Sequence, residues 1–243
     1  MIFIGKIKKM FFPARCCGCD SVVRAGFLCD DCRKKLVHPS DEKSRCDVCF
    51  LPADECICGS HLYYDAAAFL FYNEGAARKT LYGFKFSGRK DHARSYAQLL
   101  ARALDERGLA GKFSLITAIP MTPDAVSRRG YNQAELIAAG LSEITGIEYV
   151  PLLYKCLDSA RQHDLNRIER TGNIEGAFEP FEKSEALIDG ADILVVDDII
   201  TGGSTVNEAA KTLKIFGAEN VYVAVAAATK KYKTKRNKEK PTV

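Results

Sequence analysis

The stretch ILVVDDIITGGST, residues 193–205, constrains the fold more than any other part of this chain. Four consecutive apolar residues, Ile193 to Val196, leave no polar face, so a strand here must be covered on both sides. Strands of that kind belong to parallel sheets with helices packed on each face. Asp197 and Asp198 end the apolar run abruptly, and Thr201, Gly202, Gly203, Ser204 and Thr205 follow as small, hydroxyl-rich residues. Beyond them Val206, Ala209, Ala210, Leu213 and Phe216 recur at helical spacing. Strand, glycine turn and helix in that order put the turn at the carboxyl edge of the sheet, where open α/β folds bind ligands.

The same alternation runs along the chain. AAAFLFY (66–72), FSLITAIP (113–120), DILVVDDI (192–199) and NVYVAVAAAT (220–229) read as strands. AARKTLYGFKF predicts a helix stopping near Gly88, and HARSYAQLLARALDERG one ending at Gly108. NQAELIAAGLSEITG predicts a helix with Asn132 as N-cap and Gly146 at its close. EYVPLLYKC (148–156) reads as one short strand-like piece, and 157–180 as a long polar loop with helical pieces. The expected fold class is α/β, a twisted parallel sheet with helices on both faces. Residues 1–60 form a separate N-terminal region, an amphipathic helix over 1–12 and then a cysteine-rich segment; 61–229 form the main domain; 230–243 form a tail.

No apolar run approaches the ~20 residues of a spanning helix, which argues against membrane insertion. The N-terminal apolar stretch is too short for a signal peptide, and cytoplasmic residence is the expectation. The net charge is +4, but the last fourteen residues carry +6, so the remainder is close to neutral. Such a tail is either a solvated end or a contact for nucleic acid or another polyanion.

The chemistry of the 193–205 turn follows from its residue types. The first N–H groups of the next helix have no intrahelical partner and carry partial positive charge, which makes an anion seat. Thr201, Ser204 and Thr205 add hydroxyl donors, and the glycines let the backbone come close. Asp197 and Asp198 repel an anion and need a different partner. Vicinal sugar hydroxyls or a hydrated Mg²⁺ suit them. The ligand this describes is a sugar phosphate.

Nine of the ten cysteines lie between positions 16 and 58. They are spaced Cys16-x-x-Cys19, Cys29-x-x-Cys32, Cys46-x-x-Cys49 and Cys56-x-Cys58. Nothing suggests secretion, so a disulfide scaffold fits poorly. Paired thiolates in tight turns are zinc knuckles, and two knuckles complete a tetrahedral site. Eight sulfurs suffice for two Zn²⁺ ions, knuckles one and two on the first and three and four on the second. A single ion held by four of them is the alternative. Cys17 and His61 are possible substitutes. Cys156 reads as a small core residue.

ILVVDDIITGGST resembles the thirteen-residue signature of type I phosphoribosyltransferases, which bind 5-phosphoribosyl-1-pyrophosphate (PRPP). An acidic pair also follows a strand in receiver domains, but there it lies near the domain start and no phosphate loop follows. IPMTPDAVSRRGYNQAELIA, LYGFKFSGRKDHA and ARQHDLNRIERTGNIEGAF are similar to segments of the ComF/GntX family of bacterial proteins, which also carries an N-terminal zinc region. The resemblance runs from about residue 10 to residue 228.

It implies an N-terminal zinc ribbon followed by a type I phosphoribosyltransferase fold. The implied activity is transfer of phosphoribosyl from Mg²⁺-bound PRPP to an acceptor, linked to DNA uptake and competence. The alternative is a non-catalytic adaptor that binds PRPP or single-stranded DNA and works with DNA-uptake proteins such as a competence helicase. Asp197 and Asp198 hold the ribose diol, and Thr201 to Thr205 the 5-phosphate. The loop from Pro120, with Arg128 and Arg129, meets Mg²⁺-pyrophosphate, and Lys85 and Arg89 supply further cations. Asp197, Asp198, Arg128 and Arg129 are the expected catalytic residues. Arg161, Gln162, Arg167 and Arg170 lie where this fold carries a loop that closes over the reacting centre and excludes water. Asn173 and Phe178 are expected anchors of that loop, and His163 gains no role from the resemblance. No segment stands out that would select an acceptor, which leaves turnover itself open.

Overall fold

The computed structural model describes residues 15–16, 18–24, 26–36, 46, 62–86, 88–156 and 176–229. Five strands form one sheet: β1 (Ala66–Tyr72), β2 (Leu115–Ala118), β3 (Glu148–Tyr149), β6 (Asp192–Ile200) and β7 (Asn220–Ala228). Their order is β1-β7-β6-β2-β3, and every pairing is parallel. Two further strands, β4 (Leu153–Lys155) and β5 (Phe178–Pro180), form a separate antiparallel ladder.

The central strands β6 and β7 are apolar because both faces are covered. Alternation along β6 sends Leu194 and Val196 into one core and Ile193 and Val195 into the other. On the first face lie α2 (Gly75–Phe86), α3 (His92–Glu106) and α5 (Gln133–Thr145), through Leu81, Phe84, Tyr96, Leu100, Ile137 and Leu141. On the second lies α7 (Ser204–Ile215), through Val206, Ala209, Ala210 and Leu213. The β4–β5 ladder and the short helix α6 (Glu185–Ile188) join α7 there through Leu153, Phe178 and Ile188. Asn132 caps α5, its side chain accepting from the Ala134 N–H at 3.0 Å, and Gly146 ends it at φ 73°.

Two sequence expectations change. EYVPLLYKC is not one strand piece: Pro151 lies between β3, which joins the parallel sheet, and β4, which pairs with β5. The stretch beyond Pro120 is not simply a loop, because Pro123–Arg129 form a short helix, α4. Thr122 caps it, accepting from the Ala125 N–H at 3.3 Å, and Gly130 closes it at φ 80°. Thr-Pro followed by a glycine seven residues past the proline was the readable signal for it.

The described part of the cysteine-rich region packs directly on the main domain. It contributes the short helix α1 (Asp30–Lys34). Val23, Phe27, Leu28 and Leu36 belong to the same core as Phe71, Phe84 and Tyr96. The Phe27 ring lies 4.8 Å from that of Tyr96 and 5.7 Å from that of His92. The expected helix over 1–12 and the tail over 230–243 lie outside the described residues. Among the described residues no helix is long and apolar enough to cross a membrane.

Candidate functional site

The site begins where β6 runs out of apolar residues. Asp198 is 8% exposed, and its Oδ2 lies 2.9 Å from Lys85 Nζ, which comes from the last turn of α2. Asp197 is partly buried, and its Oδ1 accepts the backbone N–H of Asp198 at 2.7 Å. Desolvation first, then the ionised Asp198 beside it, pushes the Asp197 carboxyl up to about 7. The Asp198 N–H, Lys85 and Lys155 pull the other way. Asp197 is thus a carboxyl that exchanges its proton near neutrality, in contact with the carboxyl edge of the sheet.

From there Thr201 and Gly202 lead, exposed, into α7. Gly203 stands at the N-cap with φ 81°, a left-handed conformation that glycine adopts without strain. It offers no side-chain oxygen to the helix, so no side chain of the N-cap satisfies the first N–H groups of α7, beside the exposed Ser204 and half-buried Thr205. A Cβ built on Gly202 meets nothing within 4 Å. The acidic strand end thus leads through a glycine turn into the start of α7.

The β4–β5 ladder borders the same place. Gly176 N–H donates to Glu208 Oε1 at 2.7 Å, and Thr212 Oγ1 donates to the Phe178 carbonyl at 3.4 Å, which fastens the ladder to α7. Lys155, at the end of β4, lies over the Phe178 ring at 6.0 Å and acts on the Asp197 carboxyl. Sequence reasoning passed over Lys155 because a lone lysine in a short strand carries no pattern. Phe178, an expected loop anchor, is 2% exposed and sits in the core. The Cys156 N–H donates to the Ala177 carbonyl at 2.9 Å, so residues 156 and 177 are held together beside the acids. The expected closing segment, with Arg161, Gln162, Arg167, Arg170, Asn173 and His163, lies between them and outside the described residues.

The other basic residues divide. Arg128 and Arg129 are exposed in the last turn of α4, and Arg129 stacks over Phe86 at 5.6 Å, next to Lys85. Pro120 follows β2 at the same edge of the sheet. Arg89 turns elsewhere: Nε donates to His92 Nε2 at 3.3 Å and Nη2 to the Arg15 carbonyl at 3.1 Å, toward the cysteine region. Lys85 is taken up by Asp198. Tyr131, Asn132 and Gln133 act as a lock between elements. The Tyr131 hydroxyl donates to the Phe84 carbonyl, Gln133 Nε2 to the Lys85 carbonyl at 3.4 Å, and Asn132 Nδ2 to the Ile119 carbonyl at 2.9 Å.

The first two knuckles converge. The Sγ atoms of Cys16, Cys19, Cys29 and Cys32 all lie within 4.8 Å of one another, Cys19 and Cys29 at 3.6 Å. A tetrahedron with Zn–S near 2.3 Å has S···S edges of about 3.8 Å, so the donor set fits that ion. The N–H groups of Gly18 and Cys32 donate to the sulfurs of Cys16 and Cys29, each at 3.4 Å. A Cβ on Gly18 would stand 2.7 Å from Cys32 Sγ, so only glycine fits that turn. Without an ion the thiols are uneven. The Ser21 hydroxyl and N–H lower Cys19 to about 6, while burial pushes Cys32 up to about 12. Cys46 packs at the edge of the second core, while Cys49, Cys56, Cys58, Cys17 and His61 lie outside the described residues. Cys156 is half-buried.

The family model of the phosphoribosyl transferase domain matches residues 96–243. Competence protein ComFC of Streptococcus pneumoniae is 34% identical over 204 residues, covering 80% of this chain and 84% of that protein. DNA utilization protein YhgH of Salmonella typhimurium is 27% identical over 213 residues, covering 86% of this chain and 87% of that protein. Among solved structures, an adenine phosphoribosyltransferase from Thermoanaerobacter pseudethanolicus overlays with a TM-score of 0.37 at 18% identity, over 59% of this chain and 83% of that one.

Proposed function

Because the chain belongs to the ComFC family of competence proteins and carries its phosphoribosyl transferase domain, we propose that it binds PRPP and transfers the phosphoribosyl group to an acceptor. The observation that carries this reading is the end of β6: an acidic pair opens directly into the uncapped start of α7 through Gly203. The 5-phosphate would take the first N–H groups of α7 with the hydroxyls of Thr201, Ser204 and Thr205. The acidic strand end would take the ribose diol. Pyrophosphate would lie toward Pro120, Arg128 and Arg129, whose guanidinium forks suit phosphate oxygens.

In the reaction the bond from C1 of the ribose to pyrophosphate breaks, and pyrophosphate leaves with the electron pair. The acceptor nucleophile forms the new bond to C1 and gives up a proton. Mg²⁺ held with PRPP at the Pro120, Arg128 and Arg129 end of the site would supply neutralising charge for the leaving group. The protein's share is positioning and fixed electrostatics, with cations placed where negative charge develops on pyrophosphate. The Cys156 N–H to Ala177 carbonyl bond joins the two residues that flank the expected closing segment. Cys16, Cys19, Cys29 and Cys32 would hold one structural zinc ion, whose role is folding. A second would fall to the remaining knuckles.

One observation favours the adaptor reading beside this one. Tyr82 and Phe86 are 63% and 58% exposed on α2, their rings 4.8 Å apart, with Arg129 over Phe86 and Arg78 and Lys79 exposed one turn earlier. Aromatic faces among cations suit single-stranded DNA bases and backbone. In this reading the partners are single-stranded DNA and DNA-uptake proteins such as a competence helicase. Calorimetric titration of zinc-loaded full-length protein with PRPP, with and without Mg²⁺, decides between the two. Mg²⁺-dependent binding that Asp197→Asn/Asp198→Asn abolishes supports the transferase. Absence of PRPP binding, with DNA affinity that falls steeply with salt and survives the double substitution, supports the adaptor.

A further inference from the structure

Building on the sugar-phosphate reading above, we propose that the two acids of β6 do different work: Lys85 is a positioning residue acting through Asp198, and Asp197 alone presents its carboxylate to the ligand. As residue types the two acids look like one clamp. The sheet separates them. Side chains alternate along a strand, and Leu194 and Val196 belong to the α2–α3–α5 face while Ile193 and Val195 belong to the α7 face. Asp198 continues the first series and Asp197 the second. Lys85 from α2 makes its ion pair with Asp198, and it acts on Asp197 only through space, as Lys155 does from β4.

Lys85 and Asp198 form a close pair with side chains only 19% and 12% exposed. Withdrawing Lys85 toward a phosphate would leave an unpaired carboxylate in a poorly solvated place, which is strongly unfavourable. The lysine is also fixed from behind, since the Phe84 and Lys85 carbonyls accept bonds from Tyr131 and Gln133. Lys85 therefore neutralises Asp198, so a multiply charged phosphate ester meets one negative charge at this edge instead of two. Asp197 is fixed by the Asp198 N–H. Any tilt of Asp198 moves that N–H and the Asp197 carboxyl with it, which is how Lys85 acts on ligand binding without touching the ligand.

A double-mutant cycle separates this from direct phosphate contact by Lys85. Lys85→Met, Asp198→Asn, their combination, Lys85→Arg and Asp197→Asn are compared by urea unfolding without ligand and by Mg²⁺-PRPP calorimetry. Each single change of the pair is expected to weaken PRPP binding about tenfold, with the combination binding better than either single and Lys85→Arg rescuing, because residues in contact are energetically coupled. Asp197→Asn should weaken binding at least as much without loss of stability at pH 8. A combined loss equal to the product of the single losses, or wild-type affinity in Asp197→Asn, overturns the proposal. A wild-type protein that binds no PRPP refutes the sugar-phosphate reading instead. The unfolding cycle then decides the positioning role: non-additive stabilities retain it, and additive ones sink it.

Discussion

Asp197 sets the pH response of this edge of the sheet. Its carboxyl stands near 7 in the folded chain against 3.8 unperturbed, the reverse of the usual paired carboxylate. Between about pH 4 and pH 7 the folded state holds the proton more firmly than the unfolded one. Stability from this group therefore declines as pH rises through that window and stays low above it. Asp197→Asn removes the effect. The variant should gain in urea midpoint over wild type at pH 8 and gain little at pH 4. An equal gain at both values would show that the carboxyl titrates normally. The same proton matters for binding, since an ionised carboxylate accepts two diol hydrogen bonds and a protonated one does not, so affinity for the sugar phosphate should rise from pH 6 to pH 8.

The packing of α3 against α5 depends on a small residue in each. A Cβ on Gly140 would come 2.9 Å from the Cβ of Ala97, and the Ala93 carbonyl lies 3.8 Å away. Neither neighbour is a flexible side-chain end, so the helices themselves must move apart. Gly140→Ala is expected to destabilise the chain by about 1–3 kcal/mol despite the better helix propensity of alanine. Urea unfolding measures this, and a more stable variant would mean that the crossing has slack. The ends of α5 were readable because Asn132 and Gly146 are local signals. The work Asn132 Nδ2 does on the Ile119 carbonyl was not, because that contact joins two elements whose positions depend on the whole sheet. The same holds for the split of 148–156: a proline signals a break, but no local pattern says that the two halves belong to different sheets.

At the scale of the whole molecule the cysteine cluster and the sheet share one apolar core. Phe27 sits on Tyr96, which in turn meets Phe71 and Phe84. The Arg15 carbonyl, next to Cys16, takes the guanidinium of Arg89. A metal held by the knuckles would therefore support a face of the main core. Removing metal from zinc-loaded protein with a chelator should lower the midpoint of a single thermal transition of the full chain, and Cys32→Ser should do the same. Loss of the metal with an unmoved main transition would show the cluster to be an independent bead.

Residue types alone determined the α/β class, the knuckle pairs and the passage from acidic strand end through glycine turn to helix, because each rests on periodicity, spacing or backbone chemistry within a dozen residues. Cys16, Cys19, Cys29 and Cys32 are legible as donors for that reason, and their convergence to within 4.8 Å follows from two tight turns. Tertiary structure decided which charges meet. Arg89 and Lys85, four residues apart, look equivalent in the chain, yet one serves the cysteine region and the other Asp198. Lys155 carries no local signal and lies beside Asp197 only because β4 pairs with β5 and the ladder rests on α7. An ion pair depends on the distance between elements far apart in sequence, and that distance is set by packing of the whole core, which no window of sequence contains.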